Sequence, residues 1–178
     1  MLQSTDANAD TQKAPSYTAA PTDAHAYALL SEIPVIALRH VSFKTRASFI
    51  ELGGADTGLF DKLLHRLPPG KTEADYADAI VFDIEGDSME PSLRSGQQVI
   101  AWPIPEGKWE YLHNTVCVVA YDDTVTVKAI VDNELFSYDR LTLRATGGGG
   151  GSFVVARAAI QSIWEVREFY GVVPYRLF

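Results

Sequence analysis

The sequence predicts a mainly β protein of one compact domain with short helices, preceded by a linker-like tail. Three observations predict it. From Ala79 onward, short runs rich in β-branched and aromatic residues recur, each bounded by Gly, Pro, Asn or Asp. No long segment of helical period separates these runs, which points to a compact antiparallel sheet rather than to βαβ units. Residues 1–31 are rich in Ala, Thr, Asp, Ser, Gln and Pro and offer little to bury, so they read as a disordered linker, leaving 32–178 as the folded domain.

Taken in order, Ala26, Leu29 and Leu30 give residues 23–32 the spacing of a short helix, and the apolar stretch Ile33 to Leu38 opens the domain with a strand. Thr57 is placed to cap a short amphipathic helix carrying Leu59, Phe60, Leu63 and Leu64, which Pro68, Pro69 and Gly70 would end. Strands are then expected over 79–85, 98–102, 115–121, 124–131, 135–138, 140–144 and 160–169. Asp122 and Asp123 read as the turn between two of them. Five consecutive glycines, Gly147 to Gly151, read as a flexible surface loop, because glycine loses the most backbone entropy on ordering. A substrate-approach role and an artificial replacement are the other readings of that run.

A chain of 178 residues is long enough for a real core, and its net charge of −8 argues against binding nucleic acid by itself, which calls for a basic face. The single cysteine, Cys117, lies in an apolar run and reads as a core residue; no internal disulfide can form. No stretch approaches the roughly 18 apolar residues of a membrane span, and no basic region followed by an apolar core marks a signal peptide, so cytoplasmic residence is the expectation. His25, His40, His65 and His113 lack metal-ligand spacing, and no glycine-rich phosphate loop is present; neither metal nor cofactor is expected.

Chemistry concentrates in two motifs. The run Gly86-Asp87-Ser88-Met89-Glu90-Pro91-Ser92-Leu93, followed by Ser95-Gly96, puts a serine on a turn after a strand. Lys128 lies 40 residues further on, late in a strand whose Val125, Val127 and Ile130 supply apolar surroundings. A serine hydroxyl needs a base to become a nucleophile, and lysine can serve only when burial lowers its pKa. Taken singly, Ser88 reads as a turn or cap serine and Lys128 as a solvated strand lysine.

The combination resembles the peptidase domain of the LexA repressor and UmuD family, over roughly Ile33 to Phe178 and most closely between Phe82 and Val131. The resemblance implies a LexA or signal-peptidase-like β fold and self-cleavage through a Ser-Lys dyad: Ser88 as nucleophile, Lys128 as general base, and the turn at Ser88 and Met89 supplying a main-chain oxyanion donor. Members of that family usually cut an Ala-Gly or similar small pair upstream of the serine. Here the comparable segment, 41–50, holds Ala47-Ser48 as its nearest small pair, with Gly54-Ala55 as a second candidate. The segment 41–50 is otherwise an uncut, docked loop.

LexA-type repressors also carry an N-terminal helix-turn-helix domain, for which residues 1–31 leave no room. DNA would be reached only through a domain absent from this chain. A UmuD-like stand-alone protein and part of a repressor-type regulator of the SOS response both fit. The resemblance further implies a homodimer, formed at an edge in the apolar segment 163–173, and a RecA filament as the trigger. Two other classes stand beside the self-cleaving peptidase. One is a non-cleaving dimerisation and sensor module; the other is a signal-peptidase-like enzyme that processes other proteins, a group sharing the Ser-Met-x-Pro box and later lysine.

Overall fold

The computed structural model describes residues 34–55, 58–147 and 150–171, all within the compact unit Pro34–Phe178. The expected tail and its helix over 23–32 lie outside the described residues, as does the capping residue Thr57. The described part is mainly β. Its strands are β1 (Val35–Val41), β2 (Asp61–Arg66), β3 (Ile80–Asp83), β4 (Gln98–Ile104), β5 (Thr115–Tyr121), β6 (Thr124–Glu134), β7 (Arg140–Arg144), β8 (Ser152–Ala156) and β9 (Ile160–Phe169). Two short α-helices accompany them, α1 (Arg46–Glu51) and α2 (Leu135–Tyr138), with several single turns of 3-10 helix. Among the described residues, no helix is long and apolar enough to cross a membrane.

All nine strands form one sheet in the order β2-β1-β3-β4-β9-β5-β6-β7-β8. The sheet is mixed rather than purely antiparallel, because β1 runs parallel to β3 while β2 covers the other edge of β1. Strand β3 shows why its sequence is apolar at successive positions. Ile80 and Phe82 face one core and Val81 faces another, so both sides are buried. The larger core joins residues of β3, β4, β9, β5 and β6 to Met89 and Leu93 of the β3–β4 loop. Three strands separate β3 from β6 in the sheet order, yet both line this core. The sheet therefore curls around it, and the β3–β4 loop arrives at β6.

Several expectations are corrected. The helix expected around Leu59 to Leu64 is strand β2, paired antiparallel with β1 from Val35↔Arg66 to His40↔Asp61. Its apolar spacing suited a helix, but sheet pairing prevails and leaves Leu64 72% exposed. The strand expected at 135–138 is the turn of helix α2. There the Asn133 side chain accepts the Leu135 N–H and donates to the carbonyls of Trp109 and Leu112, and left-handed Asp139 ends the turn. Strand β8 was not expected at all. The segment proposed as a dimer-forming edge is β9 over Ile160–Phe169, hydrogen-bonded on one side to β4 and on the other to β5. With both edges occupied it offers none to a second copy, and it is the last core strand among the described residues; residues 172–173 lie outside them.

Candidate active site

The loop carrying Ser88 leaves β3 at Asp83 and is pinched shut at its neck. Ile84 N–H donates to the Gln97 carbonyl at 2.8 Å, Gly96 N–H to the Ile84 carbonyl at 2.9 Å, and Gly86 N–H to Ser95 Oγ at 3.2 Å. Gly96 has φ +84°, a left-handed conformation that suits glycine, which is why Ser95-Gly96 makes the expected turn into β4. Inside the neck the chain folds back twice, with Glu90 N–H on the Asp87 carbonyl and Leu93 N–H on that of Met89, both at 2.9 Å. Met89 and Leu93 are buried in the main core and anchor the loop from below. Burial of a side chain of this size stabilises by about 1.5–3 kcal/mol. Ser88, between the exposed Asp87 and buried Met89, is half-buried.

Lys128 sits on β6 opposite Cys117 of β5, between the buried residues Val127 and Ala129. Its Nζ lies 2.8 Å from Ser88 Oγ and donates as well to the Val127 carbonyl at 3.0 Å. Burial lowers the Lys128 pKa from the ordinary lysine value. Among the described residues no salt bridge involves Lys128, so no carboxylate restores its charge. An amine held this way loses its proton more readily than a solvated lysine, and once neutral it can accept the Ser88 proton across the same 2.8 Å. Among the described residues the Ser88 main-chain N–H has no acceptor, which leaves it free to donate to an oxyanion.

The two sequence-expected catalytic residues are thus brought together. The candidate cleavage site is placed differently. Ala47 and Ser48 lie in α1, where the Ser48 carbonyl accepts the Leu52 N–H at 3.0 Å. Helix α1 packs against β6, the strand of Lys128, but no hydrogen bond joins Ala47 or Ser48 to Ser88 or Lys128 among the described residues. The Ala47–Ser48 peptide is held in helical conformation, whereas a peptidase site takes an extended segment around the attacked carbonyl, so α1 must unwind first. The alternative pair Gly54-Ala55 follows the helix. The Gly54 carbonyl accepts a hydrogen bond from Arg39 at 2.5 Å, and a Cβ on Gly54 would touch the rings of Phe49 and Trp164, so this pair is also held in place.

Sequence reading missed a polar knot beside the loop. His40 Nε2 lies 2.7 Å from Asp83 Oδ1, and Gln98 Nε2 donates to the same oxygen at 2.8 Å. Burial opposes ionisation of Asp83, but its bonds with His40 and Gln98 prevail and its pKa falls. Arg46, the first residue of α1, donates to the Asp83 carbonyl at 2.6 Å and tethers the helix to the start of the Ser88 loop. His40 and Arg46 lie 43 and 37 positions from Asp83 in sequence and Gln98 lies 15 from it, and no local motif announces them. Cys117 is the core residue expected, its thiol pushed up to about 12 by burial. No group of three potential metal ligands occurs among the described residues. A cleft of about 460 Å³ lined by His113, Asp132, Asn133, Glu134 and Thr142 contains neither dyad residue. A scan of protein-family models and a search of curated proteins return no match to this chain.

Proposed function

We propose that this protein is a serine peptidase of the LexA and UmuD type, which cuts a peptide bond of its own chain through Ser88 and Lys128. The reading rests on one observation above the others: a desolvated lysine, without a carboxylate partner among the described residues, 2.8 Å from a serine hydroxyl on an anchored loop. Neutral Lys128 takes the Ser88 proton as Oγ attacks a backbone carbonyl. The Ser88 N–H stabilises the oxyanion, the resulting lysine ammonium protonates the leaving amine, and water then releases the acyl group. By resemblance, the setting is a repressor-type regulator or stress-response protein, homodimeric and triggered by a RecA-type filament.

The test is intact mass after incubation of the purified chain from pH 7 to pH 10, beside Ser88→Ala. Only the neutral amine is active, so cutting is expected to accelerate with pH. Because burial lowers the Lys128 pKa, the rise should reach its midpoint below the ordinary lysine value of about 10.4. Ser88→Ala should keep its full mass throughout. A parent chain uncut at every pH, with or without a nucleoprotein filament, would sink the proposal.

One observation favours a second reading. Helix α1 holds the candidate bond in helical rather than extended form. In a non-cleaving sensor module, α1 would remain docked permanently. A parent that labels at Ser88 with a fluorophosphonate yet never fragments would support that reading over the first.

A further inference from the structure

The first glycine of the five-glycine run is not a free surface residue. Gly147 N–H donates to the Ser88 carbonyl at 2.9 Å, and the preceding Thr146 Oγ1 donates to the Met89 carbonyl at 3.2 Å. The chain after β7 therefore returns 57 positions in sequence to bind the nucleophile loop by two consecutive carbonyls. The approach is close. A Cβ built on Gly147 would stand 2.7 Å from the Asp87 carbonyl oxygen and 3.1 Å from both the carbonyl carbon and oxygen of Ser88. All three are backbone atoms, which cannot swing aside as a side-chain end can. Gly151, at the far end of the run, would meet nothing within 4 Å.

We infer that Thr146-Gly147 is a positioning strap for the nucleophile, and that Gly147 is required at the site by its lack of a side chain. Two peptide planes flank Ser88. The plane between Asp87 and Ser88 carries the N–H assigned to the oxyanion, and Gly147 packs directly on its carbonyl oxygen. The plane between Ser88 and Met89 is fixed by the Gly147 N–H. Holding both planes sets the direction of that N–H and the position of Oγ relative to Lys128. The strap touches neither reacting atom; it acts through Ser88. This inference rests on the Ser88–Lys128 reading.

The test compares parent, Gly147→Ala, Thr146→Val and Gly151→Ala, each by intact mass against pH and by thermal melting. A backbone shift of about 1 Å at a catalytic group can cost on the order of 10²-fold in rate. Gly147→Ala is expected to lower the high-pH plateau of cutting by about that factor while still melting cooperatively. Thr146→Val, which loses one hydrogen bond to the loop, is expected to lower the plateau several-fold. Gly151→Ala should match the parent in both. A general loss of stability would lower the melting temperature without depressing the plateau below it, so the plateau separates the two roles. If Gly147→Ala fails to fold, Thr146→Val decides alone. A cutting parent whose folded variants cut equally fast overturns the strap and leaves the dyad standing. A parent that never reacts at Ser88 overturns the dyad, and the strap with it.

Discussion

Lys128→Met should abolish most of the cleavage and make the fold more stable at neutral pH. The two effects have one cause. Methionine fills nearly the same volume but carries no amine, so the Ser88 proton loses its acceptor; removing a general base costs about 10²–10⁴-fold. The remaining reaction should also lose the lysine-dependent rise with pH. On stability, burial lowers the folded-state pKa of Lys128 below its unfolded value. Between those two values the unfolded chain binds more protons, so parental stability rises with pH across that window. Below the window the full cost of burying the charge is present, and above the unfolded value of about 10.4 it is gone. The gain from Lys128→Met is therefore greatest below the lowered folded-state value and vanishes above the unfolded one. Melting curves at pH 7 and pH 11, with intact mass alongside, check both halves. A variant that cuts at the parental rate, or that melts lower than the parent at pH 7, would contradict the assignment of Lys128 as a desolvated base.

Local chemistry carried the legible part of both fold and site. Strands 115–121, 140–144 and 160–169 matched the structure to the residue, because each is bounded by turn residues and buries alternating or continuous apolar positions. Ser88 and Lys128 could be paired because each sits in a distinctive local run. What failed depended on neighbours. Leu59 to Leu64 has helical spacing, and only the presence of β1 beside it turns the segment into a strand. Segment 135–138 is apolar enough for a strand until Asn133 captures the Leu135 N–H. The mixed sheet, with β1 parallel to β3, follows from a strand order that no local pattern encodes. The same holds for β9, which the resemblance placed at an edge and whose position is internal. Gly147 was invisible for a related reason: a glycine run reads as freedom, and only the approach of the Ser88 loop shows that a side chain at Gly147 would meet that loop's backbone.

Phe49→Ala is expected to move stability and cleavage in opposite directions. Phe49 is 1% exposed and is the buried residue of α1. Its ring meets Phe82 edge-on at a centroid distance of 5.4 Å, Trp164 at 5.8 Å and Phe60 at 6.2 Å. Truncation removes these contacts and leaves a cavity among residues that are themselves fixed by the sheet, at a cost of about 3–5 kcal/mol. For a chain of this length that corresponds to a melting temperature lower by on the order of 10 °C. The loss falls mainly on α1, because Phe82 and Trp164 keep their strand hydrogen bonds while the six-residue helix loses its principal anchor. Such a short helix has little stability of its own once undocked. The Arg46 bond to the Asp83 carbonyl still tethers its first residue beside the Ser88 loop. Unwinding next to β6 is the change that the Ala47–Ser48 bond needs before Ser88 can reach it. Phe49→Ala should therefore cut itself faster than the parent at temperatures where both remain folded, with the new ends at Ala47 and Ser48. Fragment mass against time, measured well below both melting temperatures, decides the matter. Slower cutting, or cutting elsewhere, would show that α1 covers the dyad as a fixed wall rather than serving as its substrate.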